Sequence, residues 1–148
     1  MAWAETTRDV QAPIERVFDA VAHIESFQQI VPEITQVEFL SEQRRGLGAR
    51  FRETRVMGGR EASTELKVTE YVENERIRLE ADAGGTIWDT TFSTTPGPDG
   101  SVTLTMVMEA NAYKLSAKLM LPAIKGMIHK AIMKDMDAVK AHCEAGTG

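Results

Sequence analysis

A chain of 148 residues, 43% hydrophobic and 26% charged, has the make-up of one globular domain able to bury roughly two-thirds of its unfolded surface. Its formal net charge of −5, with basic residues interleaved among acids, argues against a nucleic-acid binder, which needs a concentrated cationic surface. No apolar run reaches the roughly 18 residues that span a bilayer, no basic-then-hydrophobic leader opens the chain, and the single Cys143 precludes an internal disulfide, so a cytoplasmic protein is expected.

In chain order, Trp3 to Val10 reads as a first strand through Thr6, Thr7 and Val10. Pro13 suits the first turn of a helix, and Ile14, Val17, Phe18 and Val21 follow at helical spacing. Ser26 is placed to cap a second short helix that runs through Ile30 and stops before Pro32.

From Ile34 to Ala110 the period becomes two, with strands expected at 34–40, 48–57, 60–71, 76–83, 86–95 and 101–110. Gly58-Gly59 and Gly84-Gly85 are tight hairpin loops, and Pro96 to Gly100 forms a longer turn, so the strands make an antiparallel meander. The first glycine loop sets Phe51 opposite Leu66, Glu53 opposite Thr64, and Arg52 opposite Glu65. The second sets Ala81 opposite Trp88, Leu79 opposite Thr90, and Ile77 opposite Phe92. Extending that parity places Trp88 beside Met108, Thr90 beside Met106 and Phe92 beside Leu104. Every hairpin then sends its apolar set to one side, as a one-faced sheet requires. Glu80 against Asp89 is the exception, a like-charge pair on the outer face that Arg78 would soften.

Ser116 to about Glu144 is a long helix with Leu121, Ile124, Ile128, Ile132, Met136 and Val139 on one stripe. Pro122 either kinks this helix or marks its start. A helix lying on a strongly curved sheet covers it incompletely, and the remaining volume is a pocket. Residues 1–144 make one domain; 145–148 read as a loose tail.

This order of elements resembles the START/Bet v 1-like superfamily, also called the polyketide cyclase/dehydrase and lipid-transport group. The resemblance spans nearly the whole chain. It is carried by Thr6 to Phe18, by Phe27 with Val31-Pro32, by Gly48 leading Arg50 to Glu53, and by Val68 to Tyr71 with Ile77 and Leu79. It implies an α+β helix-grip fold: a curved antiparallel sheet of about seven strands around a long C-terminal helix, with two short helices between strands 1 and 2. It identifies the fold and the place of a pocket. It supplies no catalytic motif.

The expected wall of the pocket is Phe51, Leu66, Leu79, Trp88, Met106 and Met108, with Met120, Ile124, Met127 and Ile128 facing it from the long helix. Glu53, Arg55, Thr64 and Thr86 gather toward the end that carries the two glycine turns, and with Thr90 they add polar points to this apolar surface, the usual form of a small-molecule site. Ordinary core packing would produce much of the same wall. Glu53 and Arg55 are candidate catalytic groups: Arg55 could hold an oxyanion and Glu53 move a proton, unless both reach water at the rim, and Glu70 shares that ambiguity. His23 closes the first helix, where partial positive charge suits the helix dipole, while the spacing of His23, His129 and His142 supports no metal site. Cys143 lies near the apolar stripe as a structural thiol, and no nucleotide fingerprint or other cofactor motif occurs.

Three functions fit: a carrier of a small hydrophobic, lipid-like, quinone-like or polyketide-like molecule; a cyclase or dehydrase using the same cavity without metal or nucleotide; and a protein-interaction module. The chain is expected to work as a monomer or homodimer, with no nucleic-acid partner.

Overall fold

A computed structural model describes residues 2–146. The elements are β1 (Ala4–Val10), α1 (Ile14–Ala22), α2 (Ile24–Ile30), β2 (Ile34–Phe39), β3 (Arg50–Met57), β4 (Arg60–Val72), β5 (Arg76–Ala83), β6 (Thr86–Pro96), a 3-10 turn (Pro98–Gly100), β7 (Val102–Ala112) and α3 (Leu115–Ala145). Of the expected tail, Ala145 closes α3 and Gly146 follows as its cap, and residues 147 and 148 lie outside the described range.

The seven strands form one antiparallel sheet in the order β1-β7-β6-β5-β4-β3-β2. Gly84 and Gly85 have φ of 63° and 85°, the doubly left-handed pair that lets a two-residue loop follow the strand twist. Both glycine hairpins keep the register read from sequence, including Phe51 opposite Leu66 and Ala81 opposite Trp88. Glu80 does oppose Asp89, and Arg78 Nε donates to Asp89 Oδ1 at 3.1 Å, which offsets the repulsion.

Two registers differ from expectation. Across β6 and β7, Trp88 pairs with Ala110, Thr90 with Met108 and Phe92 with Met106, two residues away from the sequence reading. The Gly97 N–H donates to the Ser101 carbonyl at 2.8 Å, so the turn is centred on Asp99 rather than Pro98. A two-residue slip leaves every side chain on its expected face, because the strand period is two. Between β4 and β5 the register breaks between Val68 and Glu70. That bulge turns Tyr71 inward, where its ring meets Phe18 edge-on at 5.6 Å. Glu70 is correspondingly opposite Arg78 and ion-paired with Arg76, which resolves its ambiguity in favour of a structural role.

The helices also depart from expectation in detail. α2 begins at Ile24, with His23 rather than Ser26 at the cap; the Ser26 hydroxyl instead donates to Asp19 Oδ2 at 3.1 Å. α3 starts at Leu115 and runs through Pro122 without ending. Its C-terminal half is tied to β1 and α1: Asp137 accepts from Arg8 Nε at 2.7 Å, Glu144 from the Gln11 N–H at 2.9 Å, and the Cys143 carbonyl from Arg16 at 3.3 Å. Val10, Val17, Phe18, Leu104, Met136, Val139 and Cys143 form the solid core beneath that half. The cavity lies beyond it.

Candidate functional site

Inward residues of β3 to β7 enclose a cavity of about 440 Å³ with α1, α2 and α3. Phe51, Leu66, Leu79, Trp88, Met106 and Met108 all line it, as do Glu53, Arg55, Thr64 and Thr90 from the sheet and Ile128 from α3. Alternation along twisted strands brings the sheet residues together although they span five strands. The Trp88 ring is fixed by an edge contact to Trp3 at 5.3 Å, and its Nε1 donates to the Ala83 carbonyl at 3.4 Å.

Three residues expected at the wall do not line this cavity. Met120 and Met127 are more than half exposed, and Ile124 is only partly covered. Over the first turns of α3 only Ala117 is buried, and the other apolar side chains there remain partly or largely exposed. Met127 borders a smaller recess of about 290 Å³ outside the main cavity, with Lys130, Lys134, Arg55 and Asp135. The sheet and helix residues instead meet at Ala131, Ile132 and Asp135.

Glu53 and Arg55 both line the cavity, and Arg55 also borders the smaller outer recess, so the pair is largely covered but keeps some contact with water. Arg55 Nε donates to Glu53 Oε1 at 3.3 Å, and a terminal guanidinium nitrogen donates to Asp135 Oδ2 at 2.9 Å. Their side chains are only 14% to 17% exposed. Burial opposes the Arg55 charge, but Asp135 and Glu53 outweigh it and hold its pKa above the ordinary value. Burial pushes the Asp135 carboxyl up, and Arg55 draws it only partly back. Two carboxylates thus share one guanidinium in this cluster, while Arg44 and Arg45 line the opposite side of the same cavity. Asp135 was not legible from the strand pattern, because it comes from α3; its position one turn before Val139 on the inward side of the stripe was the available signal.

At the far side, Ala22, Ile24 and Phe27 from the short helices and Arg44, Arg45 and Gly46 from the β2–β3 loop complete the lining. Arg45 donates to Glu25 at 3.1 Å, and the Arg44 guanidinium lies 4.6 Å from the centre of the Phe39 ring. The loop residues carry no signal in the sequence, since a loop has no period to read.

His23 stands at the junction of α1 and α2, stacked 6.3 Å from the Tyr71 ring. Burial and Arg45 hold its pKa below the usual imidazole value, against Asp19 at 3.5 Å, which weakens the expected role of a cation at the helix end. Cys143 is fully buried, with its thiol pushed up to about 11 chiefly by burial, as a structural thiol should be.

The combination of a seven-stranded antiparallel sheet, two short helices after its first strand, and a long C-terminal helix over an internal cavity defines a helix-grip protein. Residues 1–144 match the family described as polyketide cyclase/dehydrase and lipid transport, and the chain belongs to that family. Among solved structures, it is similar to TTHA0849 from Thermus thermophilus (15% identity, TM-score 0.79, covering 98% of this chain and 99% of that one). A START superfamily protein from Mycobacterium smegmatis matches at 19% identity and TM-score 0.75, covering 97% and 98%. The di-domain ARO/CYC StfQ from the steffimycin biosynthetic pathway matches at 14% identity and TM-score 0.78, over 95% of this chain and 50% of that one. No curated protein sequence matches. These structural likenesses establish the fold; the family carries the membership.

Proposed function

We propose that the protein binds a small hydrophobic or aromatic molecule, lipid-like, quinone-like or polyketide-like, in the cavity between sheet and α3. The carrying observation is a largely apolar, half-open cavity of about 440 Å³, within the size range of small-ligand sites, with one mostly covered charged cluster in its wall. Phe51, Leu66, Leu79, Trp88, Met106, Met108 and Ile128 would contact the apolar body of the ligand. The sequence suggested Arg55 as an anion holder, yet two of its nitrogens are already engaged by carboxylates. A ligand end that donates hydrogen bonds, such as a hydroxyl, therefore suits Glu53 and Asp135 better than a carboxylate would.

Fluorescence of the Trp3→Phe protein, which isolates Trp88, should change on titration with a matching lipid, quinone or aromatic polyketide. A Leu79→Phe/Thr64→Phe substitution that fills the cavity without adding a tryptophan should abolish the response. A response that persists in the filled variant would place the ligand elsewhere and end the proposal.

A second reading is a cyclase or dehydrase. It is favoured by Asp135, whose carboxyl burial pushes above the ordinary carboxylate value, standing beside Glu53 and Arg55 in the cavity lining. In that case Glu53 and Asp135 move protons while Arg55 holds them in place. Loss of turnover in Asp135→Asn and Glu53→Gln with ligand binding retained distinguishes this enzyme from a carrier.

A further inference from the structure

The first half of α3 is apolar on the side that faces away from the protein. Leu115 and Leu119 are 73% and 72% exposed, and Pro122, Ala123 and Gly126 continue that outward face at helical spacing. Met120 and Met127 flank it, more than half exposed, while Leu121, Ile124 and Ile128 lie on the opposite, partly covered side. Apolar side chains therefore occupy most of the helix circumference, interrupted along one edge by Lys114, Lys118 and Lys125, the pattern of a helix lying in a lipid interface. Just before it, exposed Tyr113 donates its N–H to the Gly85 carbonyl at 2.8 Å and its hydroxyl to Asp82 at 2.7 Å, fixing the helix start to the β5–β6 turn.

Charge is segregated in the same place. Residues 110–134 contain five of the chain's 17 basic residues and none of its 22 acidic ones, so the interleaving expected from the whole chain fails here. Lys134 pairs with Glu33; Lys114, Lys118, Lys125 and Lys130 are exposed and form no ion pair among the described residues. Two copies meeting through this face would set lysines against lysines. An anionic bilayer complements both features, since it is apolar inside and negative at its boundary.

We propose that residues 113–127 dock the protein on an anionic lipid bilayer. The outward face of Leu115 and Leu119 enters the headgroup boundary, and Lys114, Lys118, Lys125 and Lys130 meet the lipid phosphates. The next turns of α3 supply Ile128, Ala131 and Ile132 to the cavity, and the turn that anchors Tyr113 supplies Gly84. Docking thus sets one border of the cavity close to the bilayer. This inference goes beyond ligand binding and needs no ligand, so either can fail without the other.

The test is co-sedimentation of the full chain with vesicles of phosphatidylcholine alone or with about one-third phosphatidylglycerol. The bound fraction should be about tenfold higher on the anionic vesicles and fall as salt is raised. Leu115→Ser/Leu119→Ser and Lys118→Gln/Lys125→Gln should each lower it about tenfold, with circular dichroism, melting and the Trp88 titration unchanged. Absent binding, equal binding to both vesicles, or variants that bind like the parent overturn the proposal. So does a dimer in sedimentation velocity that Leu115→Ser/Leu119→Ser dissolves, which would assign the face to a second copy.

Discussion

Arg55 on β3 and Asp135 on α3, 80 residues apart in the chain, meet at 2.9 Å within the cavity and join the sheet to its covering helix. Removing the cation alone leaves two buried carboxylates without a partner. Arg55→Met should therefore destabilise the fold by about 3 kcal/mol, read as a shift in urea unfolding. Adding Glu53→Gln and Asp135→Asn to it should restore most of that loss. A triple variant no more stable than Arg55→Met would show that the charges are not the cause.

His23 gives the fold an acid sensitivity. Its pKa is held below 6.5 by burial and by Arg45, despite Asp19, and its buried Nδ1 has no hydrogen-bond partner. A group with a depressed folded pKa binds more protons when unfolded. Its contribution is present above pH 6.5 and lost as pH falls through the folded value. Stability measured by urea unfolding should decline across that window, and His23→Phe should flatten the decline. Asp135 acts in the opposite sense: its contribution is full below 3.8 and lost as pH rises through its raised value.

Cys143 should be inert in the native protein, because a thiol with a pKa of about 11 holds almost no thiolate at neutral pH and is fully buried. An aromatic disulfide reagent should label it only after denaturant is added. Rapid labelling under native conditions would mean that α3 leaves β1 and α1 far more often than this packing allows.

The two glycine hairpins should tolerate substitution differently. Gly58→Ala has open space around its Cβ and bears only the left-handed φ of 58°, a cost of about 1 kcal/mol. At Gly85 a Cβ would also come within 2.9 Å of the Lys114 side chain, at the start of α3. Gly85→Ala should melt at a lower temperature than Gly58→Ala, and equal melting temperatures would remove the coupling between that turn and the helix.

The meander was legible because two-residue glycine loops count register from their own centre, which fixed Phe51, Leu79 and Trp88 on one side. The longer turn around Asp99 gave no such count, yet its error was even and harmless to facing. The bulge after Val68 inverted Glu70 and Tyr71 because no local signal marks an extra residue. Met120, Ile124 and Met127 share the stripe of Ile128, but periodicity reports which side of a helix is apolar and not how much of that side the fold covers. Asp135 reads as an ordinary helix carboxylate until tertiary structure sets it against Arg55.

β3 divides its labour between its two sides. Arg52 bridges Glu38 and Glu65 at 2.6 and 2.7 Å, and the Thr54 and Ser63 hydroxyls meet at 2.8 Å, while Phe51, Glu53 and Arg55 point into the cavity. Strand cohesion and the lining of the cavity thus rest on alternate residues of one ribbon. A lineage can reshape the hollow through Phe51 alone, or through Glu53 and Arg55 changed together with Asp135, and leave the outer lattice of ion pairs untouched.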